Sequence, residues 1–203
     1  MYLVRPPYFF RKLFPKAIWR MDKTQNKIYL TFDDGPIPST TTWVLSLLKQ
    51  HHIKATFFCV GENVQKHPEV YRQIVDEKHA VGNHTFNHLK GWNTHSKKYI
   101  QNVEKCENYV STNLFRPPYG KVKKSQFKIL NSKFSIIMWD VLSGDFDKKT
   151  SPEKCLKNVT DTVRNGSIIV FHDSIKAQKN LEYALPRFIE YAKEKGYEFE
   201  ILK

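Results

Sequence analysis

The sequence is poor in cysteine: Cys59, Cys106 and Cys155 are the only three thiols in 203 residues. Three thiols do not build the disulfide framework of a small secreted domain, and their spacing carries no zinc-finger pattern. Cys59 falls in an apolar run and reads as a core residue. This cysteine usage fits a reducing compartment. Long hydrophobic runs are also missing. No stretch of about 18 apolar residues occurs, so no transmembrane helix is expected. The first residues contain no apolar h-region and no small-residue cleavage site, so no signal peptide is expected either. Taken alone, these absences point to a cytoplasmic protein. Internal repeats, low-complexity tracts and inter-domain linkers are absent as well. Acidic residues are scarce, at 20 against 33 Lys and Arg, for a net charge of +13. That balance permits attraction to an anionic partner such as a cell-wall polymer, a lipid surface or nucleic acid.

What is present describes a folded domain. Hydrophobic content is 40% and aromatic content 14%, as in globular proteins. The length suits one large domain. Its start is distinctive: residues 1–27 hold Arg5, Arg11, Lys12, Lys16, Arg20, Lys23 and Lys27 against the single acid Asp22. Tyr2, Tyr8, Phe9, Phe10, Phe14 and Trp19 are interleaved with them. Pro6, Pro7 and Pro15 exclude one continuous amphipathic helix there. Residues 1–26 therefore read as a basic, aromatic extension packing on a domain formed by residues 27–203. Peripheral contact with an anionic envelope surface is one expectation for it.

Strand and helix patterns alternate through the remainder. Strands are expected at 27–30, 54–60, 80–82, 114–116, 134–139, 167–171 and 199–202. Most are apolar without period-two alternation, as in parallel strands buried on both faces. Helices are expected at about 40–51 with Ser39 as N-cap, then 67–78, 97–110, 122–130, 151–164 and 181–195. Strict alternation implies an α/β fold with a parallel sheet covered by helices. Seven units in about 175 residues suggest a distorted or incomplete (β/α) barrel, because a full eight-unit barrel typically needs about 250.

The chemistry-bearing residues gather where strands end. Thr31-Phe32-Asp33-Asp34-Gly35-Pro36 closes the first strand with two adjacent carboxylates. His84 and His88 follow the third strand. Arg116 ends the fourth and Asp145 follows the fifth, while His172 and Asp173 end the sixth. In parallel barrels that face carries the active site. The i, i+4 spacing of His84 and His88 would place both imidazoles on one face of a helix. With Asp34 they make two nitrogens and an oxygen, the pattern of an open catalytic zinc site. Iron, cobalt or manganese would also suit such ligands.

Five motifs in order carry a resemblance: Thr31–Gly35 (TFDDG), His84–His88 (HTFNH), Arg116–Gly120 (RPPYG), the segment ending Asp145-Phe146, and Val170-Phe171-His172. The chain resembles the polysaccharide deacetylases of carbohydrate esterase family 4, the NodB-homology domain. That resemblance implies a distorted (β/α) barrel. It also implies a hydrolase removing N-acetyl groups from N-acetylglucosamine-type units of peptidoglycan or a chitin-like glycan. It implies one divalent metal, Zn2+ first, with Co2+, Ni2+ or Mn2+ as substitutes, held by Asp34, His84 and His88. It makes Asp33 the general base, Arg116 the partner that holds it, His172 the general acid and Asp145 the residue that orients His172. The Tyr119 backbone N–H is implied in the oxyanion hole, with Phe146, Val170 and Trp139 near substrate. Three positions depart from the family pattern: Phe146 stands where tryptophan is usual, Leu142 where a further aspartate is common, and Val170 where leucine is usual. These bear on substrate preference. The same fold also serves O-acetyl xylan esterases and other non-peptide C–N hydrolases. A nucleic-acid partner is not expected, because only the charge supports it. The family's substrates lie outside the cytoplasm, against the cytoplasmic expectation from the missing leader.

Overall fold

The computed structural model describes residues 2–203. Its centre is β1 (Lys27–Asp33), flanked by β2 (Thr56–Cys59) on one side and β7 (Ile168–His172) on the other, both parallel to it. Beyond β2 come β3 (Ala80–Asn83), β4 (Leu114–Phe115) and β5 (Ser135–Ile136). Beyond β7 comes β6 (Val141–Leu142), and β8 (Glu198–Phe199) pairs with the start of β1. The order β5-β4-β3-β2-β1-β7-β6 is parallel throughout. The sheet curls into an incomplete α/β barrel.

Alternation along β1 explains the two layers. Ile28, Leu30 and Phe32 point outward into a core shared with Val44, Leu45 and Leu48 of α2 (Pro38–Gln50) and Leu181, Leu185 and Phe188 of α8 (Gln178–Glu194). Each such side chain, fully buried, contributes about 2 kcal/mol. Tyr29 points inward and meets Phe58, Leu114, Ile137, Ile168 and Leu202 in the barrel interior. A third apolar cluster lies between β4–β5 and the helices α5 (Ser96–Glu107) and α6 (Lys124–Leu130). The remaining helices are α1 (Tyr8–Leu13), α3 (Gly61–Lys66), α4 (Pro68–Asp76) and α7 (Pro152–Thr160). All three cysteines are buried and free.

The expected fifth strand is the main correction. Residues 134–139 do not form one strand. Only Ser135–Ile136 pair with β4, and a strand at Val141–Leu142 that the apolar pattern did not single out follows them, making eight strands among the described residues rather than seven. The Ile137 N–H still donates to the Phe115 carbonyl of β4, but beyond it the run is interrupted because its remaining backbone groups turn to other partners. Met138 donates its N–H to the Ile18 carbonyl, and the Ile137 and Met138 carbonyls accept from Arg116. Ser39 is not the cap of α2. Pro38 begins that helix after Ile37, whose N–H donates to the Thr41 hydroxyl at 2.8 Å.

The seam between β5 and β6 is filled by the start of the chain. Ile18 lies parallel to Ile137, Arg20 pairs with Ser167, and the Leu142 N–H donates to the Val4 carbonyl. Asp140, fully buried at the amino-terminal edge of β6, anchors the same segment. It accepts from Arg11 at 2.7 Å, from Arg164 at 2.7 and 3.0 Å and from Ser167 at 2.8 Å, with Arg5 at 3.5 Å.

Candidate metal centre and active site

The register of β1 and β7 sets the site. Asp33 is paired with His172 across the two strand ends. Asp33 continues the inward-facing row of Tyr29 and Thr31, so its carboxylate enters the mouth of the barrel. Arg116, at the end of β4, fills the interior beneath it. Its guanidinium donates to Asp33 Oδ1 at 2.6 Å and to Thr31 Oγ1 at 2.8 Å, and stacks on the Phe58 ring at 4.0 Å. A fully buried guanidinium needs partners for its donors, and this one finds them in a carboxylate, a hydroxyl and two carbonyls.

Asp34 lies beyond the strand end in a left-handed conformation, φ 84°, which swings its carboxylate away from that of Asp33. It faces His84 and His88. Its Oδ1 lies 3.7 Å from His84 Nε2 and 3.1 Å from His88 Nε2, and one donor atom from each of the three residues fits within 4.8 Å of the others. Apart from that approach to His88, Asp34 Oδ1 is buried without a hydrogen-bond partner. Burial works against its charge, yet the adjacent His88 and the imidazoles of His172 and His84 hold the carboxyl well below the usual range.

The His84–His88 segment is not helical, contrary to the spacing argument. It is a loop in which Thr85 and His88 adopt left-handed φ of 64° and 58°. The two imidazoles meet at 5.1 Å because the loop curls back. Asn83 shapes the curl: its side-chain carbonyl accepts from the Thr85 N–H, and its amide donates to Val103. His84 Nδ1 lies 2.7 Å from the Arg116 carbonyl. A carbonyl only accepts, so Nδ1 carries the proton and Nε2 is left with its lone pair toward Asp34. Burial lowers the His84 pKa to about 4, with nearby Asp33 opposing. The ring is neutral near pH 7, as a metal ligand must be. A lone-pair nitrogen, an unpartnered buried carboxylate oxygen and a second imidazole fit a divalent cation with open positions.

His172 is set up in the opposite sense. Asp145 accepts from its backbone N–H and lies 2.7 Å from Nδ1 with the other oxygen. Burial opposes the imidazolium, but Asp145, then Asp34 and Asp33, raise its pKa to about 9. Phe146 meets the His172 ring edge-on at 4.9 Å and touches Tyr2 at 5.4 Å. Tyr119 is exposed, left-handed at φ 61°, with its ring 4.7 Å from His88. Val170 is buried on the inward row of β7, one inward position below His172, level with Thr31. Trp139 lies beneath the 116–120 loop, against Gly120.

Sequence reasoning gave no role to Asp173. Its carboxyl accepts from the Gly35 N–H at 3.0 Å and lies 2.6 Å from the Thr41 hydroxyl, beneath the Asp33–Asp34 turn. Burial pushes it up to about 8, against the Thr41 hydrogen bond. A Cβ at Gly35 would overlap this carboxyl at 1.9 Å, so glycine is required there. The His172-Asp173 dipeptide at a strand end was the one available signal.

An incomplete parallel barrel bearing two carboxylates, a His–His–Asp cluster and a carboxylate-backed histidine at its carboxyl-terminal mouth defines a hydrolase-type site. A profile of the family described as polysaccharide deacetylase matches residues 20–133. A peptidoglycan-N-acetylglucosamine deacetylase of Bacillus cereus is 31% identical over 188 residues, covering 89% of this chain and 88% of that protein. A chitooligosaccharide deacetylase of Azorhizobium caulinodans is 34% identical over 163 residues, covering 76% and 77%. A crystal structure of a peptidoglycan N-acetylglucosamine deacetylase superposes with a TM-score of 0.86 at 30% identity, covering 97% of this chain and 95% of the other. The chain belongs to the polysaccharide deacetylase family.

Proposed function

We propose that this chain is a metal-dependent deacetylase that hydrolyses N-acetyl groups of N-acetylglucosamine-type units in peptidoglycan or a chitin-like glycan. The observation that carries this reading is the division of labour between neighbours: Asp33 is bound by Arg116, while Asp34 turns to two imidazoles. Asp34, His84 and His88 would hold the ion, Zn2+ by preference given two nitrogens and one oxygen. When bound, the ion supplies Lewis acidity and a water whose pKa is lowered to about 7.

The chain's own groups do the remaining work. Asp33 accepts the proton of the attacking water, held in place by Arg116. The water oxygen bonds to the acetyl carbonyl carbon. The Tyr119 backbone N–H donates to the developing oxyanion, a contact typically worth about 10²–10³ in rate. The C–N bond then breaks, and His172 gives its proton to the leaving amine, releasing acetate. Asp145 orients His172 and keeps it charged for that step. Phe146 packs His172 in position, while Val170 and Trp139 bound the acetyl side.

The test is acetate release from N-acetylglucosamine oligomers, peptidoglycan and acetylated xylan, with metal analysis of the same sample. Release from the first two, abolished by a chelator and restored by Zn2+, is expected. Release from xylan alone would make the chain an O-acetyl esterase instead. Among the described residues no helix is long and apolar enough to cross a membrane.

A further inference from the structure

Ten large apolar side chains are exposed among the described residues, and five of them, Leu3, Tyr8, Phe9, Phe10 and Leu13, fall between residues 3 and 13. Tyr8 is 73% exposed, Phe9 61%, Leu13 48% and Phe10 37%. α1 contributes no buried residue at all. Phe9 and Phe10 stack on each other at 4.4 Å rather than on the barrel. Single exposed apolar residues are ordinary, but a contiguous group marks a surface that is covered in use.

The group is held in place. Arg11 reaches inward from α1 to the buried Asp140, and Phe14 packs on Phe127 at 4.9 Å. The same short helix thus points its cation into the protein and its aromatics out. Around the aromatics the charge is positive: Lys12 lies 5.2 Å over the Tyr8 ring, Lys16 follows, and no acid occurs before Asp22.

We propose that residues 3–16 dock the protein on the surface of an anionic lipid bilayer, with Tyr8, Phe9, Phe10 and Leu13 entering the interface and Lys12 and Lys16 meeting the headgroups. Aromatic and leucine side chains flanked by lysine are the chemistry of interfacial binding. Two alternatives fit less well. A second copy of this chain would bring lysine against lysine in a molecule of charge +13. An anionic wall polymer would satisfy the lysines but offers no apolar layer to two stacked phenylalanines. Arg11 ties α1 to Asp140, at the opposite end of the strands from Asp34, so the inserting side chains at positions 8–13 sit away from the barrel mouth, while Tyr2, earlier in the segment, reaches Phe146 beside His172.

The test is co-sedimentation of the full chain with vesicles of phosphatidylcholine containing about a third phosphatidylglycerol, beside vesicles of phosphatidylcholine alone. The protein is expected in the pellet with the anionic vesicles, and progressively less so as salt rises. Phe9→Ser with Phe10→Ser should lower partitioning about ten-fold or more. Lys12→Glu with Lys16→Glu should remove the preference for the anionic vesicles, about five-fold per lysine. Both variants should keep the circular dichroism spectrum and the acetate release from soluble oligomers. A wild-type protein that stays in the supernatant overturns the proposal, as does binding that survives the phenylalanine changes. A dimer in sedimentation that Phe9→Ser with Phe10→Ser converts to monomer also overturns it, assigning the patch to self-association. If the phenylalanine variant does not fold, the lysine variant decides by the same vesicle comparison.

Discussion

Two buried aspartates in this barrel are held by arginine, one at each end of the strands. At the amino-terminal edge, Asp140 has both oxygens engaged, by Arg11, Arg164 and Ser167, with Arg5 close by. At the carboxyl-terminal mouth, Asp33 receives one guanidinium nitrogen, on one oxygen. A carboxylate whose lone pairs are all engaged can fasten a chain segment but cannot take a proton. A carboxylate fixed by one oxygen keeps the other for chemistry. The same pair of residue types is thus a lock in one place and, in the proposed mechanism, a tool in the other, and the number of partners tells them apart.

Substitutions can break this comparison from either side. The largest effect is expected at the mouth. His88→Ala should remove the bound metal and reduce acetate release to background, with little change in melting temperature; metal analysis and an activity assay read both. Full activity in that variant would eliminate the proposed ligand set. Next comes Asp33→Asn, expected to cut kcat by about 10³ while metal content stays near that of the wild type. Loss of metal in Asp33→Asn would exchange the proposed roles of the two aspartates.

At the other end, Asp140→Ala should cost about 2 kcal/mol of stability, because it leaves three half-buried guanidinium groups facing one another without their shared anion, partly screened by solvent, with kcat unchanged. Denaturant unfolding measures it. The pH dependence has a definite sign. The Asp140 carboxyl is lowered to about 2, despite burial, by Arg164, Arg11 and Ser167. Its contribution is therefore present above its ordinary 3.8 and is lost as pH falls from there through 2.

Asp145→Asn should have the smaller effect, about 10² in kcat, with a signature in the pH profile. His172 is raised from 6.5 to about 9. As the proposed acid it must be protonated, so activity should fall above about pH 9 in the wild type. In Asp145→Asn that limb should move toward neutrality. The same shift gives stability that is full below 6.5 and lost as pH rises through 9. An unmoved limb would mean that another group supplies the proton.

The sequence made the mouth of the barrel legible because its residues are polar, adjacent to strand ends and separated by turns. Asp33, Asp34, His84, His88, Arg116, Asp145 and His172 could be placed on one face by alternation alone. Details set by tertiary contacts were not legible. The His84–His88 loop looked helical because periodicity cannot see the left-handed φ at Thr85 and His88. The strand at Val141–Leu142 was missed because two residues are too few to leave a pattern. Asp140 drew no attention because its partners lie up to 135 residues away, at Arg5. Asp173 looked like the end of a strand, when it supports the turn carrying the two aspartates.

The mouth has one more property that follows from its backbone. Among the described residues, four of the six non-glycine residues with left-handed φ, Asp34, Thr85, His88 and Tyr119, belong to it. Each such residue costs about 1 kcal/mol relative to a relaxed conformation. Heat resistance and catalysis therefore pull this chain in different directions. A library screened for survival at high temperature alone should collect glycine at positions 85 and 119 early. A library screened for acetate release should keep the strain at His88, whatever the temperature, because the proposed ligand geometry is built from it.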